Sequence, residues 1–228
     1  MKRFLGLLGI VLCVASARGA DVGDLVKQLQ NGDNDARRAA AKALGEGGAE
    51  SKSAVPALIN ALKDRDAFVR RFSAQALGEI GLDAKSAVPA LAKALDDPKK
   101  TVQVAAANAL AKLGPSGVET LVGILRDDDK DAMARRQAIQ SLGALGSAGH
   151  SAVPALTELL KEKTGKNKKK AVPNDLRTDA ATALGSLAKA DDNDAIEALS
   201  ALTGKEAKAP RELKQAANQA LRKIRGKK

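Results

Sequence analysis

The sequence predicts an all-α chain folded as a solenoid of about six helix pairs, and three observations carry that expectation. The phrase SAVPAL occurs three times, at Ser53–Leu58, Ser86–Leu91 and Ser151–Leu156. A valine recurs at Val22, Val55, Val88, Val118 and Val153, each followed by leucine three and seven positions later, which is one apolar helix face written five times. A second phrase, in the style of RRFSAQALGEIG, recurs around the marker leucines Leu44, Leu77, Leu110, Leu142, Leu184 and Leu221, at intervals of 33, 33, 32, 42 and 37 residues. Self-similarity at such a period is the signature of stacked supersecondary units. Composition agrees, because 44% hydrophobic residues with only 1% aromatics build a core of Ala, Leu and Val suited to closely packed helices.

The first seventeen residues stand apart from the repeats. MKR is a positive start, Phe4–Val14 is an eleven-residue apolar stretch, and Ala15-Ser16-Ala17 is a small-x-small cleavage site. Residues 1–17 therefore read as a secretory signal peptide, and a periplasmic or secreted location in a bacterial cell envelope is expected. Eleven apolar residues span roughly 16 Å as a helix, about half of a bilayer core. The only cysteine, Cys13, lies in that stretch. Lipidation there is a weaker reading, since Leu12 occupies a position where such signals place Gly or Ala. Cleavage would leave a chain without disulfide, thiolate nucleophile or Cys-bound metal.

The remainder, residues 21–226, is expected to form one repeat domain with units at about 21–50, 51–83, 84–114, 115–149, 150–190 and 191–226. In each unit SAVPAL or its equivalent starts the first helix, with Ser as an expected cap and Pro in the first turn, where its missing N–H costs little. The second helix carries Ala or Ser one and four residues before its marker leucine, small enough for neighbouring helices to approach closely. Gly45, Gly78, Gly143 and Gly185 follow four of the six markers. Asp35, Asp66, Asp131 and Asp175 stand where the second helices begin, and a carboxylate there complements the helix dipole. Ala195–Leu199 is a sixth, degenerate copy of the first helix.

The alternation of V-P-x-L with R-x-x-A-x-x-x-L-G-x-[IL]-G resembles the HEAT repeat, and more closely the short HEAT-like repeat of the phycobilisome (PBS) lyase family. The resemblance implies antiparallel pairs stacked into a right-handed superhelix, with the second helices lining the inner surface. At about 10 Å per layer the stack would be roughly 60 Å long. It implies little about function, because repeat folds are scaffolds for unrelated activities.

Residues for catalysis are sparse. The single histidine, His150, falls in the Gly146–His150 linker, where capping a helix or facing water is the expected role. Deoxyhypusine hydroxylase, a HEAT-like enzyme, holds iron through His-Glu pairs, and this chain lacks even one such pair. Metal-dependent hydroxylation is excluded on ligand count. Nothing resembles a tetrapyrrole pocket, and Gly45–Gly48 lacks the Lys-Ser/Thr of a phosphate-binding loop. No cofactor, metal or catalytic residue is assigned, and the chain is read as a non-enzyme. Lyase-like or oxidoreductase activity by family association is a lesser alternative.

Charge is localised. Residues 21–160 hold 18 Lys/Arg against 18 Asp/Glu, whereas residues 161–228 hold 17 against 9. Two stretches carry the excess: Lys161–Lys170, an insertion within the fifth unit, and Arg222–Lys228. Lys161, Lys163, Lys166, Lys168, Lys169, Lys170, Arg222, Lys223, Arg225, Lys227 and Lys228 are candidate anion-binding residues, and any such binding should weaken with salt. A second set recurs six or seven positions before the markers: Arg37, Arg38, Arg70, Arg71, Arg135, Arg136, Arg177 and Lys214. These either form a structural ladder with nearby Asp or grip acidic groups of a partner. Gln103 and Val104 interrupt the row in the third unit.

The expected function is that of an exported, non-catalytic scaffold that binds a protein partner through its inner helices, aided by the basic C-terminal third. The alternative is an anionic envelope polymer or membrane surface bound by the Lys161–Lys170 loop and the tail. Nucleic acid fits the charge, but export would separate the two and the chain has no aromatic platform for base stacking.

Overall fold

The structure is a computed structural model that describes residues 21–127, 129–161, 172–204 and 207–226. The expected signal peptide, with Cys13, and most of the Lys161–Lys170 insertion lie outside the described residues. Among those described, twelve α-helices form six consecutive pairs and no strand is present. The pairs are α1 (Val22–Asn31) with α2 (Asn34–Glu46), α3 (Val55–Ala61) with α4 (Ala67–Ile80), and α5 (Val88–Ala94) with α6 (Lys100–Lys112). They continue with α7 (Pro115–Arg126) and α8 (Ala132–Ala144), α9 (Val153–Lys161) and α10 (Asn174–Leu187), and α11 (Asn193–Thr203) and α12 (Arg211–Arg225). None of these helices is long and apolar enough to cross a membrane.

SAVPAL spans a change of helix type. Its Ser and Ala end a 3-10 connector, at Gly48–Ala54, Gly81–Ala87 and Gly146–Ala152, and its Val opens an α-helix with Pro in the first turn. The expected serine cap is absent from α3 and α5. The reason is that the connector runs directly into the helix, so the Val55 and Val88 N–H groups already donate to the carbonyls of Lys52 and Lys85. The donor that a hydroxyl would have satisfied is taken by backbone. Gly81 opens its connector at φ 71°, a left-handed conformation that a side chain would strain.

Second helices stack more intimately than first helices. The marker leucines are buried, and beside them the glycines meet alanines of the next layer. A Cβ placed on Gly45 would lie 3.1 Å from Ala76 Cα, on Gly78 2.9 Å from Ala109 Cα, and on Gly185 2.8 Å from Ala220 Cα. On Gly143 it would come within 3.1 Å of Ala183 Cβ. First helices touch one another far less. Close approach on one side and splay on the other bend the stack, so the second helices form its concave wall.

The third layer departs from this rule. Its marker Leu110 is followed by Ala111, and the residue in register with it on the next layer is Ser141 rather than alanine. Contact between α6 and α8 is correspondingly sparse beside that of α4 with α6. The passage to the next layer also lacks a 3-10 connector: Gly114 turns at φ 75° and α7 begins at Pro115. Gly117 then lies against the Leu110 carbonyl, where a Cβ would fall 1.8 Å from the oxygen. That contact admits only glycine.

Candidate concave binding cleft

The concave wall is built from rows of residues at fixed distances before the marker leucines. Arginines seven positions before the marker turn inward between layers. Arg37 is buried and holds Asp64 of the next layer with two bonds, Nε to Oδ2 at 2.8 Å and Nη2 to Oδ1 at 3.0 Å. Arg70 repeats the arrangement on Asp97, at 2.7 and 3.0 Å, and also donates to the Asp64 carbonyl at 2.8 Å. Burial alone would raise the pKa of Asp64 and Asp97. Hydrogen bonds from Arg37 and Arg70, the backbone N–H of Asp66 and Lys99, and the neighbouring guanidinium charge outweigh it and hold both below the usual carboxylate range. Arg135 is buried with Nε donating to the Leu125 carbonyl at 3.1 Å. Arg177 donates to the Leu160 carbonyl at 3.0 Å, and burial lowers its pKa. In the third layer Gln103 takes the place of arginine and bonds the Asp97 carbonyl at 2.8 Å. Lys214 is half-buried in the first turn of α12.

The row six positions before the marker is more accessible. Arg38 reaches Asp66 of the next layer, Nε to Oδ1 at 3.0 Å and Nη2 to Oδ2 at 2.5 Å, and Asp35 of its own helix at 3.0 Å. Asp66 also caps α4 by accepting from the N–H groups of Phe68 and Val69. Arg38 and these two N–H groups hold its carboxyl well below the usual range. Arg136 pairs with Asp179 at 2.6 Å and Asp175 at 3.4 Å. Arg71 is different. It lies over the rings of Phe72, at 4.5 Å from the centroid, and Phe68, at 5.2 Å, and meets no carboxylate among the described residues.

Between these rows an open cleft of about 710 Å³ lies on α4, α6 and α8. Arg71, Gln75, Lys100, Val104, Asn108 and Ser141 are among its walls. It sits where Ala111 and Ser141 interrupt the glycine–alanine stacking, so the looser junction and the cleft share one cause. Lys112 closes one side through an ion pair with Glu79 at 2.7 Å. A third row, two positions before the marker, is Lys42, Gln75, Asn108, Gln140, Thr182 and Gln219, all exposed. Asn108 accepts from Ser141 Oγ at 2.9 Å, leaving its amide donors toward the cleft. Sequence reading overlooked this row, although the repeat period marks it.

Elsewhere, His150 bridges layers: Nε2 lies 3.0 Å from Asp192 Oδ2. The linker histidine thus ties two units together while its side chain stays partly exposed to water. Lys161 is exposed at the end of α9, and Arg222, Lys223 and Arg225 are exposed in the last turn of α12. Lys163, Lys166, Lys168, Lys169, Lys170, Lys227 and Lys228 lie outside the described residues. Among the described residues no three His, Cys, Asp or Glu side chains cluster as metal ligands.

The model of HEAT repeats matches residues 22–111 and 88–172, which is well over half of the sequence. The chain belongs to the HEAT repeat family. This HEAT-repeat chain is also similar to solved structures. A crystal structure of an engineered protein is 26% identical, covers 91% of this chain and 97% of its own, and superposes with a TM-score of 0.51. A designed armadillo repeat protein in complex with the peptide (KR)4 is 19% identical, with 90% and 100% coverage and a TM-score of 0.54. The complex of CpcE and CpcF of phycocyanin lyase from Nostoc sp. PCC7120 is 21% identical, with 96% and 98% coverage and a TM-score of 0.49. Among curated proteins none matches the chain.

Proposed function

We propose that this HEAT-repeat chain is a non-catalytic scaffold that holds an extended segment of a partner protein in the concave cleft of α4, α6 and α8. The observation that carries the reading is the cleft itself, opened where the Ala111 and Ser141 junction loosens the stack. Its walls combine apolar Val104 with exposed amides, and a side-chain amide offers both a donor and an acceptor to a peptide backbone. Three layers at about 10 Å accommodate roughly six to nine extended residues. The designed armadillo protein with its bound peptide supplies a fold-level analogy for such a use of stacked helices.

The test is selection of short peptides from a displayed random library, with a photo-crosslinking residue at position 108 or at the outer, exposed position 93. Crosslinks from position 108 and not from position 93 are expected. Peptides that crosslink only from the outer face would overturn the reading.

Export through residues 1–17 is part of the same proposal, and a fusion of that segment to a reporter active only outside the cytoplasm tests it. A second reading rests on the exposed Arg222, Lys223 and Arg225 at the end of α12. Together with the Lys161–Lys170 insertion they would bind an anionic polymer or membrane surface. Neutralising Lys166 and Lys168–Lys170 should then abolish sedimentation with anionic vesicles at low salt, while leaving peptide capture in the cleft intact.

A further inference from the structure

The ladder of the concave wall has one rung missing. In the first layer Arg38 pairs with Asp66, which stands eleven positions before the next marker leucine and caps α4. One layer on, Arg71 occupies the position of Arg38, and the position of Asp66 is held by Lys99. A carboxylate has been exchanged for an ammonium. Consequently α6 has no side-chain cap, Lys99 and Lys100 are both exposed, and Arg71 meets no carboxylate among the described residues. Arg136, whose equivalent position is Pro173, instead reaches Asp179 and Asp175. Within the row six positions before the marker the charge left unmatched therefore lies at one junction, and Arg71 and Lys100 both line the cleft.

The guanidinium of Arg71 is also held in place. It lies over Phe72 and Phe68, the two aromatic residues of the described chain, and Phe68 is half exposed. Stacking fixes the plane of the fork, so less side-chain freedom is lost when a carboxylate binds it. Like charges at Arg71, Lys99 and Lys100 disfavour a basic or neutral occupant and favour an acidic one.

We propose that the missing rung is supplied in trans: an Asp or Glu side chain of an extended partner segment docks on Arg71, flanked by Lys99 and Lys100, and sets the register of that segment in the cleft. This rests on the cleft being a binding surface and adds the chemistry of what it selects. The carboxylate takes the place that Asp66 occupies beside Arg38. Lys99→Asp would rebuild the rung within the chain and so close the site without disturbing the fold.

The experiment uses the full chain and the displayed peptide library. Selected peptides should share an Asp or Glu at one fixed position. Replacing that residue by Asn or Gln should weaken binding by about ten-fold or more, as loss of a charge-assisted bond does. Arg71→Gln should weaken the acidic peptide by a similar factor, and Lys99→Asp by at least as much while the variant remains folded by circular dichroism. Lys27→Gln, on the first helix, should change nothing and serves as the control for bulk charge. If Lys99→Asp binds the acidic peptides as well as the parent does, the missing-rung proposal falls. If the selected peptides are neutral or basic yet crosslink from position 108, the cleft reading stands and the acidic register does not. If no peptide crosslinks from position 108, both fall.

Discussion

The junction between the second and third layers and that between the third and fourth are made from the same helix pair motif, yet they differ in closeness. At the first, Gly78 lets α4 approach the backbone of Ala109. At the second, Ala111 and Ser141 stand where glycine and alanine would be, α6 and α8 touch sparingly, and the cleft opens. One methyl and one hydroxyl distinguish the close junction from the looser one. The third layer also loses the arginine pair, the N-cap carboxylate of its second helix and the 3-10 connector that follows. A repeat protein can thus gather several departures in one unit, because each layer contacts only its neighbours.

The largest effect is expected at the regular junction. Arg70→Gln leaves Asp97, which is 9% exposed, without its bidentate partner. Breaking a buried pair in this way should cost about 3 kcal/mol, read from the midpoint of urea unfolding. Acid acts on the same rungs. Asp64, Asp66 and Asp97 all have folded pKa values below the unfolded carboxylate value of about 3.9. Their contribution is therefore present above that value and is lost as pH falls through the folded values. Thermal melts should be flat from about pH 7 to 5 and drop steeply below about 4.

Gly78→Ala forces a methyl to within 2.9 Å of Ala109 Cα and should cost about 2 kcal/mol. Gly123→Ala, with nothing within 4 Å, should instead stabilise by up to about 1 kcal/mol through helix propensity. Equal effects of the two substitutions would break the link between glycine and close approach. Lys99→Asp supplies α6 with the cap it lacks and should stabilise by about 1 kcal/mol in the same unfolding assay. The smallest change is expected for Ala111→Gly combined with Ser141→Ala, which restores the regular pair. Stability should move by less than about 1 kcal/mol, since lost helix propensity offsets closer packing. Peptide crosslinking from position 108 should nevertheless fall as the cleft narrows.

Much of this was legible in the residues. The period of the valines and marker leucines determined helix type, helix number and pairing, because an apolar face recurring every three to four residues can be buried only by a neighbour of the same kind. The small residues beside the markers foretold close stacking of the second helices. SAVPAL misled in one respect: its serine looks like a cap, but whether a 3-10 turn precedes a helix depends on the angle at which layers meet. The adjacent arginines were legible as a ladder with Asp, but the difference between them was not. Arg37 and Arg38 are chemically identical in the sequence, yet helical rotation of about 100° sends one between layers and leaves the other on the wall.

What the sequence by itself determined is the repeat: which residues face the core, where each layer begins, and that charge is concentrated toward the C-terminal third. What only the tertiary structure decided is which charges are satisfied. An ion pair such as Arg37 with Asp64 joins residues 27 apart on different layers, and its formation depends on layer spacing and not on local pattern. Lys99 in the place of Asp66 leaves Arg71 unmatched, and the looser junction opens the cleft beside it. Complementarity between layers is a property of the assembled surface, so the site becomes visible only once the layers are stacked.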